Sequence, residues 1–164
     1  MNNDPLTEIF IEKISENNGI IHKVCNIYCN NPEEKKDMMQ EITLQLWKSF
    51  PNFKEKSKFS TWMYRVALNT AITNIRKSKT SPIFEAFSEK QYDIVEKEDI
   101  PTLDAEINKL YKVIAKLNDV EKGIILLYLE KKSYAEIAGI VGLSEKNISV
   151  KIVRIKAKIK QLMS

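Results

Sequence analysis

The residues of this chain best suited to molecular recognition lie near its C-terminus, between residues 145 and 161. This stretch holds six basic residues and one acidic residue, a net charge of +5. Basic, amide and hydroxyl side chains hydrogen-bond phosphates and base edges, and small apolar side chains contact thymine methyl groups. We therefore predict a DNA-reading face made of Lys146, Asn147, Ser149, Val150, Lys151, Val153, Arg154 and Lys158.

The helices that must position this face are predicted by their caps and periodicity. Ser133, with Glu136 three residues later, forms a capping box that begins a first helix. Gly142 permits a sharp turn, and Ser144 is placed to cap a second helix. The second helix carries an apolar stripe that is expected to pack on the first: Ile148, Ile152, Ile155 and Ile159. The pattern predicts a helix-turn-helix whose second helix lies in the DNA major groove.

A second basic segment, residues 54–79, has seven basic residues and one acidic residue. Aromatic side chains are interleaved with its cations, and unpaired bases stack on aromatic rings while cations follow the phosphate backbone. The residues predicted to bind single-stranded DNA are Lys54, Lys56, Ser57, Lys58, Phe59, Ser60, Trp62, Tyr64, Arg65 and Asn69. For Phe53 and Phe59, packing in the core is an equally good interpretation.

The composition argues against several other classes of protein. The 164 residues suit one or two small domains, 43% of them are hydrophobic, and no apolar run is long enough to predict a membrane span. The polar N-terminus lacks a signal-peptide pattern, so a cytoplasmic protein is expected. With one histidine and no phosphate loop, nucleophile elbow or paired-carboxylate motif, we expect neither an enzyme nor a cofactor.

One alternative concerns His22, Cys25 and Cys29, which share one face of a predicted helix. This spacing would allow a zinc-dependent redox sensor. A fourth ligand is not evident, and small side chains on a buried helix face explain the two cysteines more simply. We therefore expect no metal at these residues.

Helical periodicity runs along the whole chain and predicts an all-α fold of two small helical domains. Residues 1–79 form the first, in which Asn31 and Pro32 begin one helix and Ser60 caps the next. Residues 80–103 are acidic and only weakly periodic, which predicts a flexible linker. Residues 104–164 form a four-helix domain that ends in the helix-turn-helix.

Three segments resemble, in order and spacing, the motifs of bacterial RNA polymerase sigma factors. Residues 37–47 are similar to the helix that grips the polymerase, residues 59–69 to the promoter-melting segment, and residues 133–145 to the promoter-reading helix-turn-helix. Since no other domain is expected, the chain resembles the small, two-domain, extracytoplasmic-function (ECF) group. The resemblance spans nearly the whole chain.

The resemblance implies a sigma factor that binds core RNA polymerase, gives it promoter specificity and stabilises melted promoter DNA. The implied polymerase-binding residues are Asp37, Gln40, Glu41, Leu44 and Trp47. The loop 54–60 with Asn69 would capture a flipped base of the minus-ten element, and the C-terminal face would read the minus-thirty-five element. The linker would thread the polymerase cleft, and an anti-sigma factor is an implied partner.

The chain departs from the family pattern on its base-reading face. Ser149 stands where a basic residue is frequent, and Val150 where a small polar one is, so the promoter sequence does not carry over from relatives. Elsewhere Asn118 replaces a usual proline and Lys131 a frequent glycine. The alternative function is a stand-alone helix-turn-helix regulator, which would bind duplex DNA without polymerase and would not need the basic and aromatic segment.

Overall fold

The computed structural model of the chain describes residues 4–80 and 97–164, with side chains at 4–77 and 97–164. The described residues form eight α-helices: α1 (Pro5–Glu16), α2 (Gly19–Tyr28), α3 (Pro32–Ser49), α4 (Phe59–Thr80), α5 (Ala105–Ile114), α6 (Asp119–Leu129), α7 (Tyr134–Val141) and α8 (Glu145–Met163). The predicted all-α fold is confirmed. Most of the predicted linker, 80–103, lies outside the described residues.

The N-terminal half consists of α1 to α4. The Asn31 side chain caps α3 by accepting from the Glu34 N–H at 2.9 Å, and Pro32 takes the first helical position, as predicted. A short 3₁₀ segment, Phe50–Asn52, follows α3. The core of this half is built mainly from α2, α3 and α4, with fully buried side chains that include Val24, Ile42, Leu46, Met63 and Ala67.

The prediction that Ser60 caps α4 is wrong. The helix already begins at Phe59, and the Lys58 carbonyl accepts from the Trp62 N–H at 3.1 Å. The Ser60 hydroxyl instead accepts from Lys132 Nζ at 3.3 Å, in the C-terminal half of the chain. Ser60 has the side chain of a good cap, but a distant lysine engages it.

The C-terminal half consists of α5 to α8, and its caps follow the sequence closely. The Ser133 and Glu136 capping box begins α7, and Ser144 caps α8 by accepting from the Asn147 N–H at 3.1 Å. Gly142, between these helices, has a φ of +78°, which an L side chain adopts only with strain. The predicted helix-turn-helix is thereby confirmed.

Two departures from the family pattern have clear local consequences. Asn118 forms a second capping box with Glu121, so α6 begins with a side-chain cap. Lys131 has a φ of +61°, the left-handed conformation in which glycine is least strained. The first departure is compensated, whereas the second leaves a lysine in a conformation that costs free energy.

The two halves pack directly on each other, and one hydrophobic core runs through both. Helix α6 lies against α2 and α4, and α7 lies against α4. Gly123 of α6 permits this close approach, because a Cβ atom there would lie 3.2 Å from the Tyr28 hydroxyl oxygen and 3.6 Å from a Leu68 methyl group. The sequence alone did not indicate whether the halves touch.

Candidate nucleic-acid interface

The outer face of α8 gathers the predicted DNA-reading residues on one exposed surface. Its inner stripe is buried, with Ile148 and Ile152 fully so, which turns the opposite side outward. Val150 is 42% exposed and Val153 66% exposed, and Arg154 lies beside them, also exposed. Lys146 and Asn147 are exposed, while Ser149 and Lys151 are half-buried. Exposed valines among cations are unusual on a solvated helix and suit contacts with base edges.

Lys158 is the last residue of the predicted face, and its side chain points toward α6 in the C-terminal half. Its Nζ lies 3.4 Å from Glu121 Oε1, at the start of α6. Because the lysine side chain is 47% exposed, this ion pair contributes little stability and can exchange for a phosphate contact. Lys158 is therefore a weaker candidate for DNA contact than Arg154.

The predicted polymerase-binding residues lie along the exposed side of α3. Asp37 and Gln40 are exposed, and Leu44 and Trp47 are 43% and 38% exposed. Glu41 is half-buried and accepts a hydrogen bond from Gln45 Nε2 at 3.1 Å. Acidic, amide and apolar side chains therefore alternate along a single helix face.

An apolar groove of about 570 Å³ lies beside this face, between α1 and α3. Its walls combine predicted residues with unpredicted ones: Thr7, Phe10, Ile11, Met39, Gln40, Thr43, Leu44 and Trp47. The rings of Phe10 and Trp47 meet edge to face with centroids 5.1 Å apart. The apolar residues of α1 were visible in the sequence, but their position beside α3 was not.

The aromatic residues of the first basic segment pack on each other. Phe53, Phe59 and Trp62 have ring centroids 5.0 to 5.6 Å apart, and Phe50 adjoins all three. Lys13 Nζ lies 5.5 Å from the centroid of the Phe59 ring. Core packing is thus the main role visible for Phe53 and Phe59. The cluster supports the loop 54–58, whose members Lys54, Lys56, Ser57 and Lys58 are all exposed.

Three residues predicted to bind single-stranded DNA lie against the C-terminal half. Tyr64 is only 2% exposed, and Lys132 Nζ lies 5.7 Å from the centroid of its ring. The Arg65 guanidinium donates to the Gly139 carbonyl at 2.8 Å, and Ser60 accepts from Lys132. Burial raises the pKa of Tyr64 well above its usual range. In this arrangement the Tyr64 ring is not available to stack on a base.

Asn69 lies on another side of α4, in a polar groove of about 370 Å³ formed with α3. The groove is lined by Glu41, Gln45, Ser49, Val66, Asn69, Thr70, Thr73, Asn74 and Lys77. Only Glu41 and Asn69 were predicted as functional residues. Asn69, Thr73 and Lys77 recur every four residues, and this polar stripe could have identified the α4 wall of the groove. The α3 wall of the groove could not be identified in this way, because it depends on how α3 packs against α4.

The proposed zinc ligands do not form a site. His22 is exposed, whereas Cys25 and Cys29 are buried. A hydrogen bond to Cys29 and burial raise the pKa of Cys25, which keeps its thiol protonated. Within residues 4–80 and 97–164, no group of three histidine, cysteine or acidic side chains is placed to hold a metal ion.

In those same residues, no helix is long and apolar enough to cross a membrane.

Family comparisons match both halves of the chain. Sigma-70 region 2 matches residues 14–80, and Sigma-70, region 4 matches residues 107–159. The ECF RNA polymerase sigma-E factor of Haemophilus influenzae is 30% identical over 142 residues, which cover 77% of this chain and 75% of that protein. The ECF RNA polymerase sigma factor SigW of Bacillus subtilis is 29% identical over 145 residues, which cover 82% of this chain and 78% of that protein.

Two solved structures share the fold. The sigma factor RpoE from Bartonella quintana, in complex with the anti-sigma factor NepR, matches with a TM-score of 0.80 at 15% identity and covers 95% of this chain and 97% of that one. CnrH, in complex with the cytosolic domain of CnrY, matches with a TM-score of 0.66 at 17% identity and covers 94% of this chain and 86% of that one. Both structural matches cover the N-terminal and the C-terminal half of this chain.

Proposed function

Since this chain belongs to the extracytoplasmic-function sigma factors of bacterial RNA polymerase, we propose that three of its faces each make a separate contact during transcription initiation. As a member of that family, it directs promoter-specific transcription initiation. Helix α3 and its apolar groove dock on core polymerase, α8 reads the duplex minus-thirty-five element, and the loop 54–58 with α4 binds the melted minus-ten element. The chain supplies no catalytic group, and it acts in the cytoplasm with the polymerase.

The domain division follows from this assignment. Residues 1–79 hold the polymerase-binding and minus-ten faces, and residues 104–164 hold the minus-thirty-five face. The acidic segment 80–103 connects them, and its negative charge suits the path that nucleic acid takes through the polymerase. The family matches at 14–80 and 107–159 support these boundaries.

The observation that carries the proposal is the outer face of α8. A helix that buries Ile148 and Ile152 while exposing Val150, Val153 and Arg154 presents apolar and cationic groups together. Valine methyl groups can contact thymine methyl groups, and Arg154 can donate two hydrogen bonds to a guanine edge. The surrounding lysines add phosphate contacts, which give affinity without sequence preference.

The face of α3 supports a polymerase-binding role because it joins an apolar patch to acidic and amide groups. Leu44 and Trp47 are exposed beside a groove that a partner helix could fill. Aromatic side chains at the centre of an interface often dominate its affinity. Asp37 and Gln40, at the same face, would orient the partner through hydrogen bonds.

The polar groove beside Asn69 is suited to hold one flipped base. Its volume of about 370 Å³ is sufficient for a single base, and its walls offer both donors and acceptors. Flipping costs a few kcal/mol of lost stacking, which hydrogen bonds in the groove would offset. The exposed lysines of the loop 54–58 would hold the adjoining phosphates.

Run-off transcription tests the whole proposal. Purified core RNA polymerase is given a pool of fragments of the source genome, with and without the protein. New start sites that depend on the protein are expected, and their shared upstream elements would define what Ser149, Val150 and Arg154 read. Specific duplex binding by the protein alone, with no new transcripts, would support the stand-alone regulator and contradict the sigma-factor proposal.

An anti-sigma factor is the further partner that we propose. Both solved structures described above are complexes of a chain of this fold with another protein, and in one of them a sigma factor is bound to an anti-sigma factor. Co-purification of the tagged chain from unstressed cells tests this partnership. The expected result is a stoichiometric partner whose addition blocks run-off transcription, and a partner without that effect would contradict the assignment.

A further inference from the structure

The two cysteines of the chain face each other at the end of α2, away from the three faces described above. Cys25 lies in the last turn of α2, and Cys29 follows the helix in an extended conformation, with φ −105° and ψ 145°. Both are buried and neither is in a disulfide bond. The Cys25 thiol donates a hydrogen bond to the Cys29 sulfur. Because the sequence contains only these two cysteines, any thiol chemistry of the chain takes place at this pair.

A buried lysine lies beside the pair. The Glu98 N–H donates to the Asn30 carbonyl at 3.1 Å, which brings the neighbouring residues Lys97 and Cys29 together. Lys97 is 6% exposed, and its ammonium has no hydrogen-bond partner among the described residues. A buried charge without such a partner lowers stability. Packing alone therefore does not explain this ammonium, whereas a neighbouring thiolate would.

The surroundings of Cys29 favour its thiolate form. The hydrogen bond from Cys25, together with the charges of Lys97 and Lys35, lowers the pKa of Cys29 against the opposing effects of burial and Glu34. The same hydrogen bond, together with burial, raises the pKa of Cys25. One cysteine therefore gives up its proton readily and the other keeps it. Oxidation-sensitive pairs combine an attacking thiolate with a resolving thiol in this way.

Exposure and backbone geometry assign the same roles. Cys29 is 6% exposed, whereas Cys25 is fully buried. An oxidant of a few atoms, such as hydrogen peroxide, can therefore reach Cys29 first, and a bulky oxidant is excluded. Residues four apart in a helix have Cα atoms about 6 Å apart, which a disulfide can span. Because the extended backbone at Cys29 lies beyond the helix, it can adjust to that bond.

We propose that Cys29 is a site of reversible oxidation by small hydroperoxides and that Cys25 closes the disulfide. The Cys29 thiolate attacks one peroxide oxygen, the O–O bond breaks, and the released hydroxide takes a proton to become water. The Cys25 thiol then attacks the sulfur of the Cys29 sulfenic acid. An S–S bond forms, and the hydroxyl group leaves as water with the Cys25 proton. Two thiols are oxidised and one peroxide is reduced, in a reaction that is independent of the role in transcription proposed above.

Limited treatment of the folded wild type with hydrogen peroxide tests the pair. Thiols that remain are alkylated in urea, and mass spectrometry identifies the product. The expected product is a monomer that has lost two hydrogen atoms, takes up no alkyl group and regains both thiols with dithiothreitol. Oxidised glutathione, a bulky oxidant, should react far more slowly with the folded protein than with the protein unfolded in urea.

Serine variants identify the sulfur that reacts first. Cys25→Ser keeps a hydroxyl that can donate to Cys29, so peroxide should add one oxygen atom to Cys29 without forming a disulfide. Cys29→Ser should react about 10-fold more slowly, because the remaining Cys25 thiol is fully buried and protonated. Circular dichroism verifies that both variants are folded.

Lys97→Met keeps both cysteines, so it tests the proposal even if a serine variant does not fold. Its pair should oxidise about 3-fold to 10-fold more slowly than the wild type at pH 7, because the thiolate loses a nearby positive charge. Burial, with Lys122 nearby, lowers the pKa of Lys97 to about 8, so this difference should shrink toward about pH 9 as the wild type loses the same charge. Lys116→Met, an exposed lysine elsewhere, should oxidise like the wild type. The other titratable groups around the pair are common to both proteins: Glu34, Lys35, Tyr111 and Lys122.

Several results would overturn the proposal. A disulfide formed only between chains would do so, as would equal rates for Cys25→Ser and Cys29→Ser. Oxidation of Lys97→Met at the wild-type rate at pH 7 would show that the buried lysine does not favour the thiolate. If the folded wild type is inert while the urea-unfolded protein reacts, the two cysteines only pack in the core.

Discussion

The Tyr28 hydroxyl donates to the backbone carbonyl of Asp119 over 2.6 Å, which ties the end of α2 to the first turn of α6. Burial, and secondarily the Asp119 carboxylate, raise the pKa of Tyr28 above its usual range, so the hydroxyl keeps the proton that it donates. The same oxygen lies 3.2 Å from the Cβ position of Gly123. One tyrosine thus supplies a polar link and sets how closely the halves approach.

Tyr28→Phe should lower the free energy of unfolding by about 1 kcal/mol, because the Asp119 carbonyl loses a partner in a mostly buried position. Urea unfolding followed by circular dichroism measures the change. Tyr134→Phe is the control, since Tyr134 is 38% exposed and its change should stay within about 0.5 kcal/mol. Equal effects of the two variants would show that the link does not stabilise the fold.

Arg154→Ala should reduce promoter-specific run-off about 10-fold or more and leave core binding unchanged, because it removes the one arginine of the α8 face. The measurement pairs run-off with a fluorescence assay of core binding. Lys116→Ala, an exposed cation outside the α8 face, should leave both values unchanged. Equal loss of run-off and core binding would contradict the recognition-helix assignment.

Asp37→Ala combined with Gln40→Ala should weaken core binding about 10-fold, because two polar contacts beside the α3 groove are lost. Duplex binding by the C-terminal half should not change, since these residues lie on the other half of the chain. Glu12→Ala with Glu16→Ala is the control, as both side chains are exposed on α1 and do not line the groove. Unchanged core affinity in the α3 double variant would mean that the polymerase docks elsewhere.

Asn69→Ala should slow promoter opening, because the groove loses an amide that can hydrogen-bond the flipped base. Permanganate footprinting of unpaired thymines in the polymerase complex measures opening, and a decrease of about 5-fold to 30-fold corresponds to the loss of a bond worth about 1–2 kcal/mol. Asn52→Ala, an exposed asparagine outside the groove, is the control. Normal opening by Asn69→Ala, with reduced closed-complex formation, would place this residue in duplex recognition instead.

Lys97 should make stability depend on pH. The residue is 6% exposed, and its ammonium lies 5.3 Å from the centroid of the Tyr111 ring and has no hydrogen-bond partner among the described residues. Burial, with Lys122 nearby, lowers the pKa of Lys97 from 10.5 to about 8. Because the unfolded chain binds this proton more tightly, Lys97 contributes a rise in the free energy of unfolding between pH values of about 8 and 10.5. The raised pKa of the Cys25 thiol contributes in the opposite direction as the unfolded cysteine ionises, so the contribution of Lys97 is the difference between the wild type and a variant without this charge.

Lys97→Met should remove this rise and add about 1–3 kcal/mol of stability at pH 7, since no charge is then buried. Urea unfolding of both proteins between pH 7 and about 9 measures both effects, because unfolded tyrosines, with a pKa of about 10, are then still largely protonated. The exposed Lys116→Met variant should keep the pH dependence of the wild type. The same rise in Lys97→Met and wild type would show that another group causes it.

The sequence by itself determined the helices and the orientation of the C-terminal face. The caps and the turn of the helix-turn-helix, at Ser133, Ser144 and Gly142, act on backbone groups within about four residues. The isoleucine stripe of α8 requires only that α8 is helical and that another element packs on the stripe. These are short-range effects, so their outcome can be read from neighbouring residues. The same locality explains why Asn31 was correctly placed as the cap of α3.

Only the tertiary structure decided how the residues of α4 are divided. Ser60, Tyr64 and Arg65 face the C-terminal half, while Asn69 opens into a groove with α3. Spacing along one helix gives the angles between side chains but not what lies opposite each of them. That depends on the fit between surfaces far apart in sequence, here the space left by Gly123 for Tyr28 and Leu68, which no local pattern encodes.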